Sequence, residues 1–136
     1  RTSVGLGLKR IFLCGITPTP GHKNFAKSSL SSENEVNWEK SLNCVDQIFN
    51  LRKIGYKIIS IENSQNSIPI HNLNKNNFTN KKIALVVGNE VSGIDPDILS
   101  ISDNIISIPI NGNNKSFNVT TAFGIALFHL ATILSN

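Results

Sequence analysis

The sequence contains no methionine, one tryptophan, one tyrosine and two cysteines among its 136 residues. Each scarcity excludes something. Cys14 and Cys44, isolated from one another in sequence, make neither a zinc site nor a disulfide framework, and they read as buried thiols of a reducing compartment. His22, His71 and His129 have no metal-ligand spacing, so no metal is expected. The longest apolar run, around Ala122 to Leu134, is broken by His129 and Thr132. It falls short of the roughly 18 apolar residues of a membrane span. No signal peptide is visible at the start, and the chain opens on Arg1 rather than on an initiator methionine. A trimmed chain is therefore expected. Charge is also sparse. Thirteen Lys and Arg against nine Asp and Glu leave +4, spread along the chain. That permits an anionic partner without demanding one, and it excludes a non-specific basic tail.

What is there suffices for one domain. Apolar residues make up 40%, enough for a real core. Asparagine is abundant, with 19 copies, dense between Asn63 and Asn80. It reads as polar surface rather than as a prion-like tract. Segments alternate along the chain. Lys9–Cys14 is a short apolar run closed by Gly15, a predicted strand. Thr17 to His22 is punctuated by two prolines and a glycine, and Lys23 to Asn37 is a polar, non-periodic excursion. Trp38 to Ile54 carries apolar residues at helical spacing and stops at Gly55, which predicts one helix with Trp38 in the core. Lys23 and Lys27 could meet RNA phosphates or simply solvent, and Trp38 could otherwise stack on a base.

Tyr56–Ile61 is a second strand, followed by a polar connection from Glu62 to Asn80 with an apolar island at Ile68–Ile70. Lys82–Val87 is continuously apolar, the pattern of a strand buried on both faces of a parallel sheet. Asp95–Ile101 is a short helix with Pro96 in its first turn, and Asn104–Ile108 is another strand. Asn118 then caps a helix reaching about Leu134. That helix is apolar nearly all round, as expected if a second chain covers part of it. The alternation predicts an α/β fold with a mostly parallel sheet and helices on both faces. Ligands of such sheets bind beyond the C-terminal ends of strands. Gly88–Ile94, Ile108–Asn113 and Ser116–Asn118 all lie there.

Gly88-Asn89-Glu90-Val91-Ser92-Gly93-Ile94 is neither a P-loop nor a dinucleotide fingerprint. Glu90 would repel a phosphate, so the turn suits a neutral or cationic ligand. Read alone it could be an ordinary glycine turn. Ser116-Phe117-Asn118 could likewise be a simple helix cap, or a hydroxyl and an amide beside free helix N–H groups.

Taken together, three segments resemble the motifs of the SpoU-like (TrmH-type) RNA 2′-O-ribose methyltransferases of the SPOUT superfamily. Arg1-Thr2-Ser3-Val4-Gly5-Leu6-Gly7-Leu8 is similar to the tail of the first motif, Val86–Ile94 to the second, and Ile108–Ile110 through Ser116–Ala122 to the third. Cys14–Pro20 resembles a subgroup of the same family. The spacing fits as well, with 20 residues from Gly88 to Ile108 and 9 from there to Phe117. The asparagine opening the first motif and the strand before it are absent, and Phe117 stands where leucine is usual, an apolar exchange.

The resemblance covers essentially the whole chain and implies one catalytic domain over residues 1–136, truncated at its N-terminus. Its sheet would end in a deep C-terminal trefoil knot, which general topology rules would argue against. It implies S-adenosylmethionine-dependent methylation of a ribose 2′-hydroxyl in tRNA or rRNA, by a homodimer formed through the C-terminal helix. Carried over by position, Gly88, Ile108 and Phe117 hold the cofactor, Glu90, Ser116 and Asn118 complete the pocket near the methyl group, and Arg1 contacts the target nucleotide. The expected compartment is the cytoplasm, with an organelle open. The alternative is a catalytically impaired RNA-binding domain that keeps the fold. A flavodoxin-like nucleotide binder would need a phosphate-cradling loop after the first strand, and Thr17-Pro18-Thr19-Pro20 makes a poor one.

Overall fold

The computed structural model describes residues 1–78 and 82–135. It divides into two compact units, Arg1–Gln47 and Ile48–Asn136. The first holds a single-turn helix α1 (Thr2–Gly5), strand β1 (Arg10–Cys14), a short helix α2 (Phe25–Ser29), one 3-10 turn (Ser32–Asn34) and strand β2 (Asn37–Ser41). β1 and β2 run parallel, with Arg10 beside Asn37 and Cys14 beside Ser41.

β2 corrects the helix expected from Trp38. Residues 37–41 are extended, and helix α3 begins only at Cys44, running to Lys53. Asn43 sets the start. Its side-chain oxygen accepts the N–H of Val45 at 2.9 Å and of Asp46 at 3.3 Å, satisfying two donors of the first turn. Upstream, parallel pairing to β1 holds the chain extended. Arg10 meets Glu39 across the strands at 2.5 Å, and the Lys40 ammonium donates to the carbonyls of Gly15 and Thr17. Trp38 is consequently 38% exposed rather than core. The polar excursion also gains local order, in α2 and the 3-10 turn.

The second unit is built on a parallel four-stranded sheet in the order β4-β6-β3-β5. Its strands are β3 (Lys57–Ile61), β4 (Ile68–Pro69), β5 (Ile83–Val86) and β6 (Asn104–Ser107). β4 arises from the apolar island at Ile68, which pairs with Ile106. The last residues of the long polar connection, 79 and 80, lie outside those described. Helix α4 (Pro96–Ser100) starts with proline at its first position, where no N–H is needed. Helix α5 (Val119–Ser135) closes the chain.

Burial is greatest on β3, not on the continuously apolar β5. Ile58, Ile59 and Ser60 are fully buried, whereas every residue of β5 is half-buried. The reason is position: β3 has a hydrogen-bonded neighbour on each side, and β5 lies at the end of this sheet's order. Ile59, Ile70, Leu73, Phe78 and Ile106 form the core with Ala126 and Leu130 of α5. The buried Ser60 hydroxyl is satisfied by Ser102 at 2.7 Å, as buried polar groups generally are. At the N-terminal end of β3, Asp103 accepts the Ile58 N–H at 2.7 Å and pairs with Arg52 at 3.0 Å.

α5 is not buried on every side within this chain. Ala126 and Leu130 face inward, but Phe128 is 62% exposed and Ile125 39%. Among the described residues no helix is long and apolar enough to cross a membrane, and no group of three or more His, Cys, Asp or Glu is placed to hold a metal ion.

Candidate functional site

All four strands of the larger sheet point the same way, so their C-terminal ends share one edge. The segments leaving β3, β5 and β6 emerge there, and they contain six of the seven residues singled out from sequence. Arg1, the seventh, belongs to the first unit. It is exposed and precedes α1, its carbonyl accepting the Gly5 N–H at 3.0 Å.

The segment after β5 is a tight loop closed on itself. Asn89 and Gly93 exchange backbone hydrogen bonds at 3.0 and 2.9 Å. Inside the loop the Asn89 side-chain oxygen accepts the N–H of Val91 at 2.8 Å and of Ser92 at 3.4 Å. Both glycines are required sterically. A Cβ on Gly88 would fall 2.5 Å from the carbonyl oxygen of Gly93 and from the Ile94 nitrogen. Gly93 has a φ of +70°, a backbone conformation that costs other residues about 1–2 kcal/mol. Its missing side chain also admits the Glu62 carboxylate, since a Cβ there would sit 2.7 Å from Oε2. The loop closure leaves Glu90 and Val91 projecting, and Val91 is 96% exposed.

The segment after β6 begins at Ile108, which is half-buried and packs against the core. It runs exposed through Ser116, Phe117 and Asn118 to α5. Phe117 is 40% exposed, an apolar ring with one face open to a ligand. Asn118 caps α5, accepting the N–H of Thr120 at 3.0 Å and of Thr121 at 3.4 Å through its side-chain oxygen. Its amide nitrogen then donates to Glu90 Oε1 at 3.5 Å. One asparagine thus joins the two loops while ordering the helix behind it. The cap and the functional reading of Asn118 are compatible, because they use different atoms of the same amide.

Sequence reasoning missed Glu62 and Asn89. Asn89 carries a signal of its own: asparagine in a glycine-bounded loop bonds backbone two residues on. Glu62 is a carboxylate placed immediately after an apolar strand of a parallel sheet, where ligand-binding segments lie.

This edge offers an anionic side chain, an amide, a hydroxyl, an open aromatic face and the backbone of two loops. Among the described residues it has no lysine–glycine phosphate cradle. Glu90 favours a cation and disfavours a phosphate, and Phe117 adds a partly exposed apolar ring. A sulfonium-bearing nucleoside fits that donor set.

Comparison with known proteins gives the same direction. A model of the SpoU rRNA Methylase family matches residues 1–128. The tRNA (guanosine(18)-2′-O)-methyltransferase of Aquifex aeolicus is 37% identical over 90 residues, 66% of this chain. The crystal structure of the A. aeolicus TrmH/SpoU tRNA modifying enzyme superposes with a TM-score of 0.83 at 27% identity, covering 98% of this chain and 66% of that one. The AdoMet-bound rRNA methyltransferase of Sinorhizobium meliloti shares the fold, with a TM-score of 0.84 at 23% identity over 97% of this chain and 49% of its own. The chain spans 41% and 45% of the lengths of two curated relatives it matches.

Proposed function

Since the chain belongs to the SpoU rRNA methylase family, we propose that it is the catalytic domain of an RNA 2′-O-ribose methyltransferase acting on tRNA or rRNA. Residues 1–136 form that domain in this reading. Its sheet carries helices on both faces, and the C-terminal part is threaded as a trefoil knot. The observation that carries the proposal is the convergence of the 88–94 loop and the Ser116–Asn118 segment at one sheet edge, joined through Asn118 and Glu90.

S-adenosylmethionine would supply an electrophilic methyl group on a sulfonium that is already a good leaving group. The protein's task is then mainly positioning. Gly88 and Ile108 offer backbone groups at the exits of β5 and β6, and Phe117 offers its ring as a wall. Glu90 supplies negative charge for a cation and is oriented by Asn118, and Ser116 adds a hydroxyl. On the RNA side, the attacking 2′-hydroxyl must lose its proton. Arg1 is poorly suited to take it, because a neutral guanidine is costly to form in a protein. It is better suited to grip a neighbouring phosphate and stabilise the developing oxyanion. The homodimer is supported by the exposed apolar side chains Ile125 and Phe128 on α5, whose buried residues are Ala126 and Leu130. The enzyme is proposed to act in the cytoplasm.

The test is calorimetric titration of S-adenosylhomocysteine into the chain. One site per chain is expected, with affinity reduced at least tenfold in Asn118→Ala. Absence of binding by the folded wild type would reject the pocket and favour an RNA-binding domain without catalysis. Tritium transfer to candidate RNAs then tests the reaction itself.

A further inference from the structure

Glu62 is the first residue beyond β3, and it is fastened to the loop after β5 and to strand β6. Its own N–H donates to the Ile106 carbonyl at 3.0 Å, which fixes its backbone against β6. Its carboxylate Oε2 accepts the Ile94 N–H at 2.9 Å, at the end of the loop after β5. Gly93 makes this possible, since its bare Cα leaves the carboxylate room to reach the backbone. Ile94 is itself 6% exposed, so the N–H that Glu62 accepts belongs to a residue packed in the interior. Among the described residues Glu62 makes no ion pair and no other side-chain hydrogen bond. Among the described residues its carboxylate meets this single amide.

Leaving a half-buried carboxylate at such a spot is costly unless it does something the backbone cannot. Here the 88–94 loop is closed on itself by the Asn89–Gly93 exchange, but its seat on the sheet depends on contacts outside that exchange. The Glu62–Ile94 bond is one such contact, and it is charge-assisted, hence stronger than a neutral bond. From β3, the most buried strand, it ties the loop bearing Glu90 to the strand leading to Ile108.

We infer that Glu62 is a positioning residue for the cofactor pocket: its carboxylate seats the 88–94 loop, and through it Glu90, against the ends of β3 and β6. The inference rests on the cofactor reading of that loop. It acts through Ile94 and Gly93 and requires no contact between Glu62 and the ligand.

Two readouts on Glu62→Ala and Glu62→Gln test it. One is amide hydrogen exchange at Ile94, which needs no ligand. The other is calorimetric affinity for S-adenosylhomocysteine. Removing the acceptor in the alanine variant should accelerate Ile94 exchange and weaken binding by about tenfold, the usual worth of a charge-assisted bond. Glutamine keeps an acceptor oxygen at the same reach without the charge and should restore both in part. Glu62→Asp, one methylene shorter, should show both changes in milder form if the alanine variant does not fold. Unchanged Ile94 exchange in the alanine or aspartate variant would overturn the clamp. Faster exchange with unchanged affinity would overturn its role in the pocket. Wild-type protein that protects Ile94 but binds no S-adenosylhomocysteine would instead defeat the cofactor reading, and the positioning role with it.

Discussion

At the residue scale, the two cysteines turn out to be neighbours. Cys14 ends β1 and Cys44 opens α3, and the turn between Ser41 and Asn43 folds them together within the first unit. The Cys44 thiol hydrogen-bonds Cys14 and pulls its pKa down from an ordinary 9.0 to about 7. Burial opposes that shift, while the nearby Lys40 charge and Ser41 reinforce it. The folded-state value lies below the unfolded one. Thiolate stabilisation of the fold is therefore fully present above the unfolded pKa, and it is lost as pH falls through about 7. Because the thiolate is the reacting form, alkylation of Cys14 by iodoacetamide should reach half its maximal rate near pH 7. In Cys44→Ala that midpoint should move upward. Mass spectrometry of the Cys14 peptide across pH checks both, and an unchanged midpoint in the variant would mean that Lys40 and Ser41 set it without Cys44. Nothing in the sequence announced this pairing, since 29 intervening residues separate the two thiols. Strand pairing of residues 10–14 with 37–41 creates it.

At the element scale, periodicity was a good guide where an element had one neighbourhood and a poor one where it had two. β1, β3, β5, β6, α4 and α5 fall where short apolar runs and glycine or proline stops predict. The stretch from Trp38 failed because apolar residues at Trp38, Leu42 and Val45 mimic a helical stripe. Leu42 is in fact 90% exposed, in the turn between a strand and a helix. The local cap at Asn43 and pairing to a distant strand outweighed the stripe. The continuous apolar run of β5 predicts burial on both faces, but burial follows sheet order, which composition does not encode. α5 anchors the core through Ala126 and Leu130, the latter 3% exposed. Leu130→Ala should therefore lower unfolding free energy by about 2–5 kcal/mol, the range for emptying a buried leucine site. Urea denaturation followed by circular dichroism measures it. A loss under about 1 kcal/mol would mean the site collapses around the smaller side chain.

At the scale of the whole molecule, the motifs were legible because they are short segments at strand ends. Gly88, Glu90, Ile108, Ser116, Phe117 and Asn118 were named through the family resemblance of those motifs, and the structure places all six in the segments that leave β5 and β6. Glu62 had only its place after an apolar strand to mark it, since its contacts depend on three parallel strands ending side by side. The remaining feature is α5, whose composition is apolar on more faces than one chain covers. Phe128 and Ile125 stay exposed while Leu130 and Ala126 are buried, so the helix has a committed face and an open one. Burying a phenylalanine side chain contributes about 1.5–3 kcal/mol, so a self-association built on this face should depend heavily on Phe128. Phe128→Asp should raise the dimer dissociation constant by about ten- to a hundredfold. Leu130 and the sheet beneath it would be untouched, so thermal unfolding of the separated chain should change little. Sedimentation velocity over a range of concentrations distinguishes the outcomes. A wild type that stays monomeric at tens of micromolar would reject the homodimer. A dimer insensitive to Phe128→Asp would move the contact to another surface and leave the open face of α5 to a different partner.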